Sequence, residues 1–371
     1  MDRFSIVYRI AGPENEAWAK AQDICLEQTV EFPAELLPEG YIQNSLIGQI
    51  TEFVPDGTEG YKATISFAIE SAAHELTQLL NVIFGNISIK PGYRVEAIEL
   101  PDALLQQFRG PRWGKAGLRE ILKVKPRPLL FTALKPMGLS SQDLAELAYQ
   151  FALGGIDIIK DDHGLTNQRY APFQERVRLC AEAVARANKQ TGLNCIYTAN
   201  VTAPHHEVLS RARYAKENGA GGLLVAPGLV GFDTMRSLAE DDNIALPIFS
   251  HPAFLGSYVL GTDNGISHFA LFGQITRLAG ADGIIYPNYG GRFSFSRQEC
   301  QSIARGAAAP MGNLKTSFPC PGGGMNMSNI PDMIEVYGAD VIFLVGGGLF
   351  KHGPNLIDNC NYFRSLVEVV A

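Results

Sequence analysis

The sequence predicts an α/β protein, a (β/α)8 TIM barrel preceded by an α+β domain of ferredoxin-like type. Two observations lead there. From about residue 128, short apolar runs alternate eight times with amphipathic helical stretches, which is the pattern of a barrel of ~250 residues. Seven of those eight runs then finish on a polar residue or on glycines, as a barrel requires when its site lies at the carboxyl rim of the strands. A doubly wound open sheet shares the alternation but does not call for that ring of polar strand ends.

The residues before the barrel have another texture. SIVYRI, SLIGQITEFV, YKATISFAI and YRVEAIELP alternate apolar and polar side chains as half-buried strands do, while NEAWAKAQDICLEQ and AAHELTQLLNVIFG carry helical spacing. The expected division is an N-terminal domain over 1–125 and a barrel over 126–371. The barrel strands are read at LLFTALK (129–135), IDIIKDD (156–162), CIYTANVT (195–202), GLLVAP (222–227), LPIFSHP (246–252), GIIYPN (283–288), TSFPCPGG (316–323) and VIFLVGGG (341–348).

Composition narrows the function classes. A net charge of −7 leaves no basic footprint for nucleic acid. Six cysteines without metal-type spacing read as reduced, buried thiols. The first residues lack a signal-peptide pattern, and no apolar run reaches the ~18 residues of a membrane span. The expectation is a cytoplasmic protein with no membrane partner.

The second barrel strand, in GGIDIIKDDHGLTNQ (154–168), ends on four ionisable groups. Side chains alternate faces along a strand, so Lys160 and Asp162 share one direction and Asp161 takes the other, free for a structural hydrogen bond. A lysine between carboxylates is ordinarily an ion pair. The sharper reading is a metal site in which Asp162 offers a hard oxygen suited to Mg2+, and Lys160 offers another only as a CO2-derived carbamate. Carbamylation needs the neutral amine, which is roughly 0.1% of a lysine of ordinary pKa ~10.4, so the site must depress that value or trap the product.

The other strand ends add to this. Gly322, Gly323 and Gly324 after the seventh run, and Gly346, Gly347 and Gly348 after the eighth, present backbone N–H groups where barrels commonly bind phosphate. Lys135 and His251 finish the first and fifth runs, where a lysine and a histidine can move protons α to a carbonyl. Arg292 sits in NYGGRFSF, a glycine-hinged loop. An aldolase with Lys135 or Lys160 as a Schiff base remains an open reading of the same residues.

FRGPRWGKAGLREIL, RPLLFTALKPMGLS, GGIDIIKDDHGLTNQ and VGGGLFKHGP together resemble the large subunit of ribulose bisphosphate carboxylase, and more closely the RubisCO-like proteins. The resemblance implies that Lys135 helps enolise the substrate, that Lys160 is the carbamylated lysine, that Asp162 ligates magnesium and that His251 is the strand-five active-site histidine. It also implies a homodimer with intersubunit sites, to which the partner's N-terminal domain donates Glu27 and Asn86. The departures argue against CO2 fixation. His163 stands where carboxylases have a metal-ligating glutamate, which favours softer metals over Mg2+; Arg292 and Met137 replace lysines, Pro252 an arginine, and Ile285 or Tyr286 a histidine. Loss of the cations that hold a second phosphate points to a substrate with one. The expected function is a RubisCO-like enzyme acting on a phosphorylated ketose or keto acid through an enediolate, by enolisation or isomerisation. The alternatives are a decarboxylase of a branched sugar-acid phosphate and a binding or regulatory protein that has lost its chemistry.

Overall fold

The computed structural model describes residues 2–57, 60–291 and 293–368, in two compact units. The first comprises the chain to Arg109 with segments Leu255–Ile275 and Ala309–Leu314. Its sheet is built from β1 (Arg3–Ala11), β2 (Gln49–Pro55), β3 (Gly60–Ala68) and β4 (Tyr93–Glu99), with α1 (Glu14–Glu27), α2 (Leu76–Phe84) and a short α3 (Asp102–Leu105). The central β1 pairs antiparallel with both β3 and β4, and every second residue, Phe4, Ile6, Tyr8 and Ile10, is buried. That period of two is what a sheet with one covered face imposes. Ala17, Ala21, Ile24 and Cys25 form the buried stripe of α1 at helical spacing.

The second unit contains α4 (Gly114–Leu122) and the barrel strands β5 (Leu129–Leu134), β6 (Ile158–Asp161), β7 (Ile196–Asn200), β8 (Gly222–Val225) and β9 (Ile248–Ser250). A two-residue strand β10 (Gly265–Ile266) belongs to the first unit and pairs parallel with β4; β11 (Gly283–Pro287), β12 (Phe318–Gly322) and β13 (Ile342–Leu344) then complete the barrel. The eight parallel strands close in the order β11-β12-β13-β5-β6-β7-β8-β9. All eight runs read from the sequence are strands; β7 ends on Asn200 and β12 on Gly322, while β5, β6, β9 and β11 end one residue before Lys135, Asp162, His251 and Asn288. The fold is therefore a TIM barrel with an N-terminal antiparallel-sheet unit. The first unit's opening segment ends at Arg109, earlier than the boundary at 125 read from the sequence.

Segment 110–125 lies in the barrel unit because of its apolar residues. Leu118 and Leu122 of α4 pack with Leu129, Phe131, Ile158, Ile196, Phe249, Phe318 and Ile342 in one core cluster, so the helix fills one end of the barrel. Asp282, just before β11, secures that plug: its carboxylate accepts from the N–H groups of Trp113 and Gly114 at 2.7 Å each and of Ile248 at 2.9 Å. Burial raises its pKa to about 6 against those bonds. No helix among the described residues is long and apolar enough to cross a membrane.

Asp282→Ala removes one acceptor from three N–H groups at once. An unpaired buried donor costs about 1–3 kcal/mol, so urea denaturation of the variant is expected to show a loss near 3 kcal/mol. A loss under ~1 kcal/mol would mean that water replaces the carboxylate.

Candidate active site

The site begins with strand alternation in β6. Asp161 faces the surrounding helices and is fully buried. Its Oδ1 accepts from Nε of Arg176 at 3.2 Å and from the Tyr197 hydroxyl at 2.8 Å, and its Oδ2 accepts from the Asn200 N–H at 3.0 Å. Arg176, in α6 (Phe173–Thr191), the next helix but one after α4 and following α5 (Ser141–Leu153), also donates to the carbonyls of Thr166 and Ala171. Asn200 donates to those of His163 and Leu165, both at 2.9 Å. The loop that carries His163 is thus held by four side-chain bonds to its backbone. Asn200, one of the polar strand ends, serves this scaffold, and Arg176 and Tyr197 carried no sequence signal that linked them to it.

Lys160 and Asp162 take the opposite direction. Lys160 is 2% exposed, and its Nζ donates to the Asp161 carbonyl at 3.1 Å. Burial, with Lys135 assisting and Asp162 opposing, pulls its pKa down to about 8. A substantial neutral fraction at physiological pH is the condition for carbamylation. Thr198, in register with Lys160 on β7, keeps a buried Oγ1 that bonds to nothing among the described residues.

Asp162 gathers the cluster. Its Oδ1 lies 3.3 Å from Nζ of Lys135 and 3.2 Å from Nδ1 of His163. Burial works against its ionisation, but the His163 hydrogen bond and the charges of Lys160 and Lys135 prevail and hold it well below the usual carboxylate range. The His163 ring stacks on that of His251, with centroids 4.3 Å apart and planes 11° apart. Burial first, then Lys160 and His163, push the His251 pKa well below its ordinary value. His251 is therefore neutral near pH 7, and because its Nδ1 accepts from the Ala253 N–H at 3.2 Å, its proton sits on Nε2.

The glycine triplets form a second feature of the rim. Gly323 and Gly324 have φ of +73° and +84°, and a Cβ on Gly324 would strike the Cα of Gly291. Only glycine meets both conditions. Among the described residues, the N–H groups of Gly324, Gly346, Gly347 and Gly348 donate to no acceptor, and Gly346 and Gly347 face open space. The helical turn after β12 is already capped by Asn326, which accepts from Ser328 and Asn329.

Arg292 lies outside the described residues. Glu27 and Asn86 are in the first unit, where Nδ2 of Asn86 donates to Oε1 of Glu27 at 3.0 Å and Lys90 bonds Glu27 at 2.9 Å. As for metal, no group of three His, Cys, Asp or Glu side chains capable of holding an ion is found among the described residues. Asp162 and His163 make a pair, so the residues fit a divalent cation only if Lys160 supplies the third donor as a carbamate; its buried, low-pKa amine and the unbonded Thr198 hydroxyl accommodate that.

A family model for the ribulose bisphosphate carboxylase large chain, catalytic domain, matches residues 114–358. The chain belongs to that family. It is a RubisCO-like protein by its relatives. The 5-methylthioribulose-1-phosphate isomerase of Rhodospirillum rubrum is 37% identical over 371 residues, 100% of this chain and 97% of the relative. The 2,3-diketo-5-methylthiopentyl-1-phosphate enolase of Geobacillus thermodenitrificans is 33% identical over 307 residues, 82% of this chain and 74% of the relative. Among solved structures, the Rubisco-like protein from Rhodopseudomonas palustris matches with a TM-score of 0.90 and 33% identity, covering 99% of this chain and 98% of that one. In this RubisCO-like chain Ile285 belongs to the barrel core and Tyr286 is buried, so neither presents a cation at the rim.

Asp162 is the main attraction opposing burial at Lys160. Asp162→Asn is expected to move the Lys160 pKa below 8, and Lys135→Met to move it above 8. Titration of ε-13C-lysine-labelled protein by NMR reads both; a rise in Asp162→Asn contradicts the electrostatic account.

Proposed function

We propose that this RubisCO-like protein is an isomerase that moves a proton next to the carbonyl of a phosphorylated ketose through an enediolate, and does not fix CO2. The supporting observation is the connected set Lys135–Asp162–His163 with His251 stacked on it, at the rim that also carries the unbonded glycine N–H groups. Relatives named as an isomerase and an enolase of sugar-derived monophosphates support the same chemistry.

The N–H groups of Gly324, Gly346 and Gly347 bind the phosphate as a concave cradle of donors. Nε2–H of neutral His251 donates to the substrate oxygen on which negative charge develops, and the Lys135 ammonium, neutralised by Asp162 at rest, adds positive charge there. His163 is oriented by its Nδ1 contact with Asp162, which leaves Nε2 to take the proton from one carbon, exchange it with solvent and deliver a proton to the next. Asp162 and carbamylated Lys160, joined by Nε2 of His163 when that nitrogen is not acting as the base, would hold a divalent cation, with Mg2+ disfavoured relative to softer ions by the imidazole; such an ion would supply Lewis-acid polarisation of the carbonyl. The protein works as a cytoplasmic homodimer in which Glu27 and Asn86 complete the partner's site. The exposed Asn86, bonded to the half-buried Glu27, suits that role.

The test uses 5-methylthioribulose 1-phosphate with the product followed by 31P and 1H NMR. Wild type is expected to convert it and to incorporate no labelled CO2 into ribulose bisphosphate. Asp162→Asn and His251→Asn are each expected to lower kcat by about 100-fold or more. Unchanged kcat in both variants contradicts the mechanism.

A further inference from the structure

The chain contains seven methionines and six cysteines. All six cysteines are buried. Met235, Met311, Met325, Met327 and Met333 are 0–7% exposed, whereas Met137 is 45% exposed. Among the described residues, one sulfur is open to a dissolved oxidant, and it stands at the catalytic rim. A Cβ placed on Gly164 would lie 2.5 Å from Sδ and 3.3 Å from Cε of Met137, and 3.8 Å from Oδ2 of Asp162. The thioether therefore rests on the turn directly after Asp162 and His163, two residues along the chain from Lys135. Glycine at position 164 is what makes room for it.

We propose that Met137 is a redox modification site: peroxide converts its thioether to the sulfoxide, and the sulfoxide reversibly disables the rim. In the step, a sulfur lone pair attacks one oxygen of hydrogen peroxide and the O–O bond breaks. That oxygen stays on sulfur, while the other takes up the protons and leaves as water. Sulfur is oxidised by two electrons and the peroxide is reduced by two. The product replaces a soft apolar group with a polar, chiral S=O acceptor. Pressed against the Gly164 backbone, the side chain must either swing into the mouth or turn its oxygen toward the cluster. There it accepts from Lys135 and competes with Asp162 for that ammonium. In both cases the arrangement that handles the substrate is lost, and a sulfoxide reductase restores it. The effect on turnover rests on the isomerase reading, but the selectivity of oxidation does not.

The experiment treats the full-length protein with hydrogen peroxide, quenches at intervals, and reads each methionine by peptide mass spectrometry. Met137 is expected to gain one oxygen about tenfold faster than the five buried methionines, in line with its exposure. Isomerase activity is expected to fall in step with that peptide, at an unchanged melting temperature, and to return on treatment with methionine sulfoxide reductase. Met137→Leu, measured against its own starting rate, is expected to resist inactivation. Oxidation spread evenly over the methionines overturns the proposal. So does full activity with Met137 oxidised, inactivation accompanied by a fall in melting temperature, or Met137→Leu inactivated as fast as wild type. If the isomerase assay fails altogether, the mass spectra still decide the selectivity.

Discussion

The functional arrangement depends on one buried carboxylate, Asp161. Strand alternation sends it toward the helices, where Arg176, Tyr197 and the backbone of Asn200 take up its charge. A charge in that position is tolerated only with full hydrogen bonding, because leaving a buried partner unpaired costs several kcal/mol. The same bonds fix the end of β6 and, through Arg176 and Asn200, the loop beyond it. Lys160 and Asp162 then have no alternative to the opposite face. Adjacent residues of one strand so divide into scaffold and chemistry.

That division also sets the electrostatics. Lys160 lies in a dry environment with one carbonyl acceptor, which lowers its pKa, while Asp162 stays ionised because His163 and two lysines converge on it. A neutral His251 follows from burial among those cations. The site thus holds one firmly charged carboxylate, one exposed ammonium and two stacked imidazoles. This set carries the charges needed to polarise a carbonyl and relocate a proton, the role proposed for it, and it is separate from the uncharged N–H donors of the glycine loops. With Ile285 in the core and Pro252 at the fifth strand end, it presents cationic recognition for no second phosphate at those positions.

Much of this was legible in the sequence, for physical reasons that differ by residue. The eight apolar runs were visible because barrel strands are buried on both sides, and the polar tips because a rim breaks that pattern. The opposite directions of Asp161 and Asp162 followed from a period of two. The ends of the strands were less legible, since Asn200 and Gly322 are still paired while Lys135 and His251 lie one residue beyond their strands. Arg176 lies 15 residues beyond Asp161 on a helix, where it looks like any surface charge until the fold buries it. The stacking of His163 on His251 joins the second strand to the fifth, and only closure of the barrel brings them together. The place of 110–125 was hidden because a helix that plugs a barrel has the same amphipathic pattern as one that covers a sheet.

The central claim is that this rim removes and returns a carbon-bound proton next to a carbonyl. The most direct measurement is deuterium exchange: 5-methylthioribulose 1-phosphate in D2O with the enzyme, followed by 1H NMR at the carbons flanking the carbonyl. The account predicts loss of those proton signals at a rate equal to or faster than product formation, and no exchange with a variant lacking His163 and His251. Product formed with no deuterium in either substrate or product, or exchange that persists in that double variant, would contradict it.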